Sequence, residues 1–177
     1  MSEPKLSASI TLVPYINQYA HAVGQIYHDA VRGIAHPRYT DEQLRAWSLK
    51  PRSNKHWHYR LSRSQAWLAL SKPLSSQSGK PPVCVGFINI ETRFSSRGYI
   101  DSLYIAPQYQ GQGIATALYQ LVENFALEQG IETLSVDASY LSKSLFEQQG
   151  FVLQQRSYQS KCGQFIPGFY LTKALRP

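Results

Sequence analysis

The sequence predicts an α/β protein with a mixed, mostly antiparallel central sheet, helices on both faces and one βαβ crossover. Strand-like segments occupy the middle and the end of the chain, amphipathic helices alternate with them irregularly, and one glycine-rich turn joins a strand directly to a helix. With 177 residues the chain has the length of one domain. We therefore treat residues 1–177 as a single folding unit.

The first half of the chain predicts a strand, three helices and a hairpin. Apolar residues between Tyr19 and Val31 recur at helical spacing, and Thr40 with Gln43 forms a capping-box pattern that begins a short helix carrying Trp47. The predicted elements are a strand at residues 8–14, helices over 19–31, 40–47 and 54–61, and hairpin strands at 65–70 and 83–91.

The second half predicts the crossover and a closing hairpin. A strand precedes the glycine-rich turn, the helix after the turn has one apolar face, and a second helix stops at Gly150. The predicted elements are a strand at residues 99–105, a helix over 113–127, a strand at 134–137, a helix over 139–149, and hairpin strands at 151–157 and 165–175.

Charge and cysteine content exclude several classes of protein. The formal charge of +7 favours anionic ligands, but the basic residues are scattered, so no nucleic-acid surface is expected. Cys84 and Cys162 lie far apart, which predicts free thiols, and His56 with His58 lacks a third ligand, so no metal is expected.

Two features of the chain bear on its location. The opening MSEPKLSASI lacks the apolar region of a signal peptide, and no run approaches the roughly 18 to 20 apolar residues that cross a bilayer. From these features we expect a cytoplasmic protein that is a monomer or homodimer and does not bind membranes.

The glycine-rich turn is the most informative segment. A strand runs through Pro107 into Gln108-Tyr109-Gln110-Gly111-Gln112-Gly113 and then directly into a helix. Glycine permits positive φ and close approach of the backbone to a ligand, and the first amides of a helix lack internal acceptors. With the positive end of the helix dipole behind them, these amides form a site suited to a pyrophosphate.

Three interpretations compete for these glycines. The first is a helix-start turn without a ligand. The second is a dinucleotide-binding fold, which Gly111, Gly113 and Asp137 at the end of the next strand favour. Against it, Thr116 stands where a third glycine or alanine belongs, and only about forty residues remain for further βαβ units.

The third interpretation is a family resemblance. Gln108, Gly111 and Gly113 match the pattern Q/R-x-x-G-x-G/A between a strand and a helix, and LFEQQGF at residues 145–151 is similar to a second cofactor segment. In these features the chain resembles the GNAT superfamily of acetyl-CoA-dependent N-acyltransferases over about residues 83–151. HPRYT at residues 36–40, with Gln43, Ala46 and Trp47, is similar to the acceptor-side helix of a YafP-type bacterial subgroup.

The resemblance implies an acyltransferase site in which two splayed strands hold the pantetheine arm of acetyl-CoA. It implies direct attack of a primary amine, from a small molecule or a peptide, on the thioester in a ternary complex. The residues that it assigns to the cofactor are Leu103, Ile105, Gln108, Gln110, Gly111, Gln112, Gly113, Ile114, Ala115, Thr116, Ser139, Lys143 and Phe146.

The resemblance also implies catalytic roles, with departures from the family pattern. Asp101 is the candidate general base, which strand alternation places on the same face as Leu103. Phe146 stands where many relatives have the tyrosine that protonates the thiolate, so Tyr140, Ser142 or a water is expected to replace it. Gln110 and Gln112 replace the usual basic residues, Ser139 replaces the usual asparagine, and Lys143 is a candidate phosphate contact.

Fewer residues indicate where the acceptor binds. We expect Tyr39, Trp47, Tyr99 and Cys162 to line the acceptor pocket. The leading functional hypothesis is an N-acetyltransferase, and the missing tyrosine leaves a non-catalytic acyl-CoA sensor as the alternative. A basic nucleic-acid-binding module is a third hypothesis that rests on charge alone.

Overall fold

Seven strands form one sheet in the computed structural model of the chain, which describes residues 9–72 and 79–175. The strands are β1 (Ile10–Pro14), β2 (Gln65–Ser71), β3 (Val83–Ile90), β4 (Tyr99–Ile105), β5 (Thr133–Ala138), β6 (Val152–Lys161) and β7 (Gln164–Ala174). Their order in the sheet is β1-β2-β3-β4-β5-β7-β6. All neighbouring strands are antiparallel except β4 and β5, which are parallel.

Five α-helices accompany the sheet in the described part of the chain. They are α1 (Ala20–Arg32), α2 (Asp41–Trp47), α3 (Asn54–Ser62), α4 (Ile114–Glu128) and α5 (Lys143–Gln148). The helix α4 connects β4 to β5, so these three elements form the βαβ crossover. None of the helices in the described ranges is long and apolar enough to cross a bilayer.

The sheet separates two hydrophobic cores. Phe87 of β3 packs with α1 and α3 on one face, whereas the adjacent Ile88 packs with α4 and α5 on the other. Successive strand residues point to opposite faces, which explains why β3 is buried along almost its whole length. The arrangement confirms the predicted mixed α/β fold with helices on both faces.

Several element bounds differ from those predicted. The last helix begins at Lys143 instead of residue 139, because Ser139 and Ser142 bond the local backbone in a turn that competes with helix. The strand β6 extends to Lys161, beyond the predicted end at residue 157, since it pairs with β7 up to Gln164. Residue 8 of the predicted first strand and residues 73–78 of the predicted loop lie outside the described residues.

The helix α2 packs against the first residues of β7. Its capping box is present as predicted: the Gln43 N–H donates to the Thr40 hydroxyl, and the Thr40 N–H donates to the Gln43 side-chain oxygen. The Gln43 amide also donates to the Phe165 carbonyl at 2.9 Å. Leu44 packs with Tyr39 and Ile166 in a small third core.

We expect Thr40→Ala to lower the free energy of unfolding by about 1 kcal/mol, because it removes the capping hydroxyl of a short helix. Urea denaturation followed by circular dichroism measures this. Thr40→Ser keeps the hydroxyl and should remain close to the wild type. Equal stability of all three proteins would contradict a stabilising capping box.

Candidate active site

A gap between β4 and β5 is the central feature of the site. The two strands pair only at Tyr99 with Ser135 and at Ile100 with Val136, whereas β5 pairs with β7 along its full length. Beyond Ile100 the edge of β4 that faces β5 has no strand partner among the described residues. A cavity of about 430 Å³ opens there, lined by both strands.

A β-bulge at Asp101 accompanies the divergence. In the pairing of β3 with β4, Ile90 faces Ile100 and Asn89 faces Ser102, so Asp101 is the extra residue. Bulges bend the strand that carries them and increase its twist. The start of β4 can therefore pair with β5 while its end turns away.

The bulge corrects one sequence-based expectation. Leu103 packs into the core on the α4 face, but the Asp101 carboxylate bonds Arg60 of α3 on the opposite face. Simple alternation placed Asp101 and Leu103 on one face, and the extra residue inverts that relation. Both residues still line the cavity, because the cavity passes between the strands.

The glycine turn lies at the end of β4 and has the predicted conformation. Gly111 and Gly113 have φ of 74° and 79°, in the left-handed region. No described residue accepts a hydrogen bond from the backbone N–H groups of residues 111–116. A Cβ built on Gly111 meets no atom within 4 Å, so the space above the turn is open. Unpaired amides, an open approach and the dipole of a 15-residue helix make this turn suitable for an anion.

The glutamines of the turn bond to the backbone. The Gln110 amide donates to the Ile105 carbonyl at 3.1 Å, and the Gln112 amide donates to the Gln108 carbonyl at 3.3 Å. Their side chains therefore brace the turn, and the donors available to an anion there are main-chain groups.

The other candidate cofactor residues divide into two groups. Leu103, Ile105, Gln110, Ala115, Ser139 and Phe146 line the cavity. Gln108, Gly111, Gln112, Gly113, Ile114, Thr116 and Lys143 do not, although all but Lys143 belong to the turn or the first turn of α4. Lys143 forms an ion pair with Glu147 one helical turn away.

Asp101 is held by a bidentate ion pair. The Arg60 guanidinium donates to its two oxygens at 2.5 and 2.6 Å, and the Asn89 amide donates at 3.3 Å. The Asp101 side chain is only 13% exposed. A second carboxylate, Asp137 of β5, accepts a hydrogen bond from the Tyr99 hydroxyl at 2.9 Å. Burial and the neighbouring Asp137 both raise the pKa of Tyr99.

The aromatic residues expected at the acceptor side have separate positions. Tyr39, Trp47 and Tyr99 line the cavity, and Tyr39 packs edge-on against Trp47. Tyr140 does not line the cavity. Its ring stacks on His36 and packs against Phe169, and its N–H donates to the Tyr39 hydroxyl. Tyr140 thus supports the cavity wall from behind.

Cys162 does not line the cavity, contrary to expectation. It is exposed in the tight turn between β6 and β7, with φ of 45°. The reason is local, because Cys162 is a turn residue with an exposed side chain, whereas the preceding Lys161 still pairs with Gln164 and lines the cavity. Cys84, the other thiol, is buried in β3.

Sequence reasoning missed four basic residues at the α3 end of the cavity. Arg52, His56 and Arg60 come from α3 and the segment before it, and Lys161 is the last residue of β6. His56 and Arg60 are one helical turn apart, and this spacing was a usable signal for a shared face. Nothing local in the sequence places Lys161 beside them, because a long hairpin brings it there.

Comparisons with known proteins agree with the fold and with the geometry of the site. A family model described as "Acetyltransferase (GNAT) domain" matches residues 35–167. The chain belongs to the GNAT family of acetyltransferases. An Escherichia coli protein described as "Uncharacterized N-acetyltransferase YafP" is 30% identical over 146 residues, which cover 82% of this chain and 83% of the relative. These matches confirm the resemblance seen in the sequence.

Solved GNAT structures share the fold. A GCN5-related N-acetyltransferase from Rhodopseudomonas palustris matches with a TM-score of 0.79 and 27% identity, covering 96% of this chain and 97% of that one. The Salmonella typhimurium protein YncA, solved with its cofactor acetyl-CoA, matches with a TM-score of 0.69 and 17% identity over 95% of each chain. PaiA from Thermoplasma acidophilum, solved with coenzyme A, matches with a TM-score of 0.70 and 14% identity over 94% and 99%.

The positions of the two thiols predict their reactivity. Burial raises the pKa of Cys84 to about 11, so this thiol is neither accessible nor ionised at pH 8, whereas Cys162 is exposed. A chromogenic disulfide reagent should titrate one thiol in the native protein and two after denaturation. Cys162→Ser should abolish the native reaction. A native Cys162→Ser protein that reacts as fast as the wild type would contradict the assignment.

Proposed function

We propose that this protein is an acetyl-CoA-dependent N-acetyltransferase that acts on a primary amine of a small molecule or peptide, with direct transfer in a ternary complex. One observation carries the proposal: the gap between β4 and β5 runs directly into a turn whose backbone amides lack acceptors. The family supports acetyl transfer in general, and two structural neighbours were solved with acetyl-CoA or coenzyme A.

The residues present fit the cofactor. The amides of residues 111–116 suit its pyrophosphate, and the unpaired edge of β4 at Leu103 and Ile105 suits the amide-bearing pantetheine arm. The open space over Gly111 leaves room for phosphate oxygens. When bound, acetyl-CoA supplies an activated thioester. The chain itself supplies the binding, the orientation and the proton transfers.

Asp101 is our candidate for the group that removes a proton from the acceptor amine. It lies where β4 and β5 begin to separate, at the edge of the cavity, and Arg60 fixes its orientation. A base held in place by a bidentate arginine acts through its remaining lone pairs, directly or through one water. A purely structural carboxylate would form the same ion pair, and the kinetics of Asp101 variants distinguish the two roles.

We place at Ser142, in preference to Tyr140, the hydroxyl that hydrogen-bonds the departing thiolate and relays a proton to it from water. Ser142 lines the cavity together with Ser139, and their hydroxyl oxygens are 3.1 Å apart. Tyr140 lies behind the wall, and Phe146 is a buried core residue without a hydroxyl. Ser142 therefore has the access to the gap that Tyr140 lacks.

A non-catalytic acyl-CoA sensor is the second candidate. The lack of a tyrosine at Phe146 and the engagement of both Asp101 oxygens by Arg60 favour it. Both candidates require acetyl-CoA binding, and only the first requires the release of coenzyme A in the presence of an amine. A thiol-release assay over a panel of amines separates them.

Gly111→Ala tests the anion site. A Cβ at this positive φ costs strain and occupies the open space where phosphate would lie, so we expect acetyl-CoA to bind at least about tenfold more weakly, which is 1.4 kcal/mol. Calorimetry measures the affinity. Gly130→Ala is the matched control, because Gly130 has φ of 66° and open space at the far end of α4. Equal affinities for the two variants would count against the site.

Asp101→Asn tests the general base. We expect kcat to fall by about 10²-fold or more with acetyl-CoA affinity retained, because the amide cannot accept the proton. Arg60→Gln breaks the same ion pair but keeps the carboxylate, so it should retain far more activity. If both variants lose activity and stability to the same degree, the role of Asp101 is structural.

A further inference from the structure

Four basic residues converge on the end of the cavity that is farthest from the glycine turn. Arg52, His56, Arg60 and Lys161 all line the cavity, and we call them the basic cluster. Burial is the largest cause of a lowered pKa at Lys161, and the positive charges of Arg60 and Arg52 lower this pKa further. Burial and the same two arginines lower the pKa of His56. Residues whose charges shift the pKa of one another lie close together in the structure.

The positive charge of the cluster is only partly neutralised. Asp101 is the ion-pair partner of Arg60, and Asp137, the other carboxylate that lines the cavity, accepts a hydrogen bond from Tyr99. In the described residues neither Arg52 nor Lys161 has a carboxylate within salt-bridge distance. Arg52 is exposed, but Lys161 is half-buried, and an unpaired charge that is partly removed from water is costly, a cost that an anionic ligand offsets.

Two buried polar atoms beside the cluster also lack partners. Within the described ranges, His56 Nε2 and Ser157 Oγ are buried without a hydrogen bond, and both residues line the cavity. Two other buried atoms without partners are different, because the Trp57 indole nitrogen lies against Gly24 of α1 and Asn89, with its unpartnered Oδ1, does not line the cavity. Buried polar groups in native proteins are nearly always satisfied by protein, water or ligand.

The position of the cluster separates it from the cofactor phosphates. At about 3.3 Å per residue, Asp101 lies about 13 Å along β4 from Ile105, and the glycine turn lies beyond Ile105. An anion bound by Arg52 and Lys161 therefore lies at the opposite end of the cavity from an anion held by the turn. Such an anion is therefore not the cofactor pyrophosphate that the turn is proposed to hold.

We propose that Arg52, His56 and Lys161, with Ser157, form a subsite for an oxyanion on the acceptor, so that the acceptor is a small amine carrying a carboxylate or a phosphonate group. This inference rests on the proposed acetyltransferase function. The amine nitrogen of such a molecule lies toward Asp101, and its oxyanion lies toward Lys161.

Matched amines test the subsite. Each member of a panel of α-amino acids, ω-amino acids and aminoalkylphosphonates is paired with its neutral amide or ester, and thiol release is compared at equal concentrations of unprotonated amine. We expect kcat/KM to be at least tenfold higher for the oxyanion member. In Lys161→Gln and in Arg52→Gln this ratio should fall toward one. Lys50→Gln, which removes an exposed lysine outside the cavity, should keep the wild-type ratio.

A binding measurement keeps the proposal testable without turnover. Inorganic phosphate is titrated by calorimetry into the wild type, Lys161→Gln and Lys50→Gln, so that any phosphate on the glycine turn is common to all three. We expect at least fivefold weaker binding to Lys161→Gln than to Lys50→Gln. Equal phosphate affinities together with equal rates for neutral and anionic amines overturn the subsite but leave the acetyltransferase function intact. Failure to bind acetyl-CoA or to turn over any amine is instead a failure of the proposed function.

Discussion

The structure depends on the brief pairing of β4 with β5. β4 keeps its hydrogen bonds to β3 up to Ile105, but it leaves β5 after Ile100, at the bulge formed by Asp101. A parallel pair buried in the middle of a sheet normally continues for the length of its strands, because unpaired backbone groups are costly. Here the unpaired edge faces a cavity, and a bound ligand can pair with it.

The two ends of the cavity present hydrogen-bond donors of different kinds. At the glycine turn the donors are backbone amides, and the nearby glutamines bond to the backbone. At the α3 end the donors are side chains on a helix and on a hairpin, held near a single ion-paired carboxylate. Substitutions outside the turn leave the backbone donors of the glycine turn in place. At the α3 end, a single substitution can remove a side-chain donor. A conserved fold of this kind can therefore keep one ligand and vary the other.

Local sequence patterns correctly predicted the features that depend on residues close together in the chain. The capping box at Thr40 and Gln43, the positive φ at Gly111 and Gly113, and the order of strands and helices all follow from neighbouring residues. The bulge at Asp101 did not, because it arises from the register between β3 and β4. Cys162 was expected at the acceptor pocket, but the adjacent Lys161 lines the cavity in its place, because the end of β6 is set by its pairing with β7.

The catalytic details were the least predictable part of the site. Asp101 was identified as a candidate, but its partner Arg60 lies 41 residues away and no local pattern connects them. Tyr140 was expected to replace the tyrosine missing at Phe146, yet its ring packs against His36 and Phe169 and does not line the cavity. Side-chain direction in an irregular segment such as residues 139–142 depends on the neighbours that the fold supplies.

Backbone amide chemical shifts during a coenzyme A titration test the central claim most directly. We expect the largest changes at residues 111–116 and along β4 from Leu103 to Ile105, with Gly130 at the other end of α4 unaffected. Such a pattern would show that main-chain groups of the turn and of the open strand edge bind the ligand. Saturation binding that leaves those amides unchanged, or no binding by the folded protein, would contradict the account.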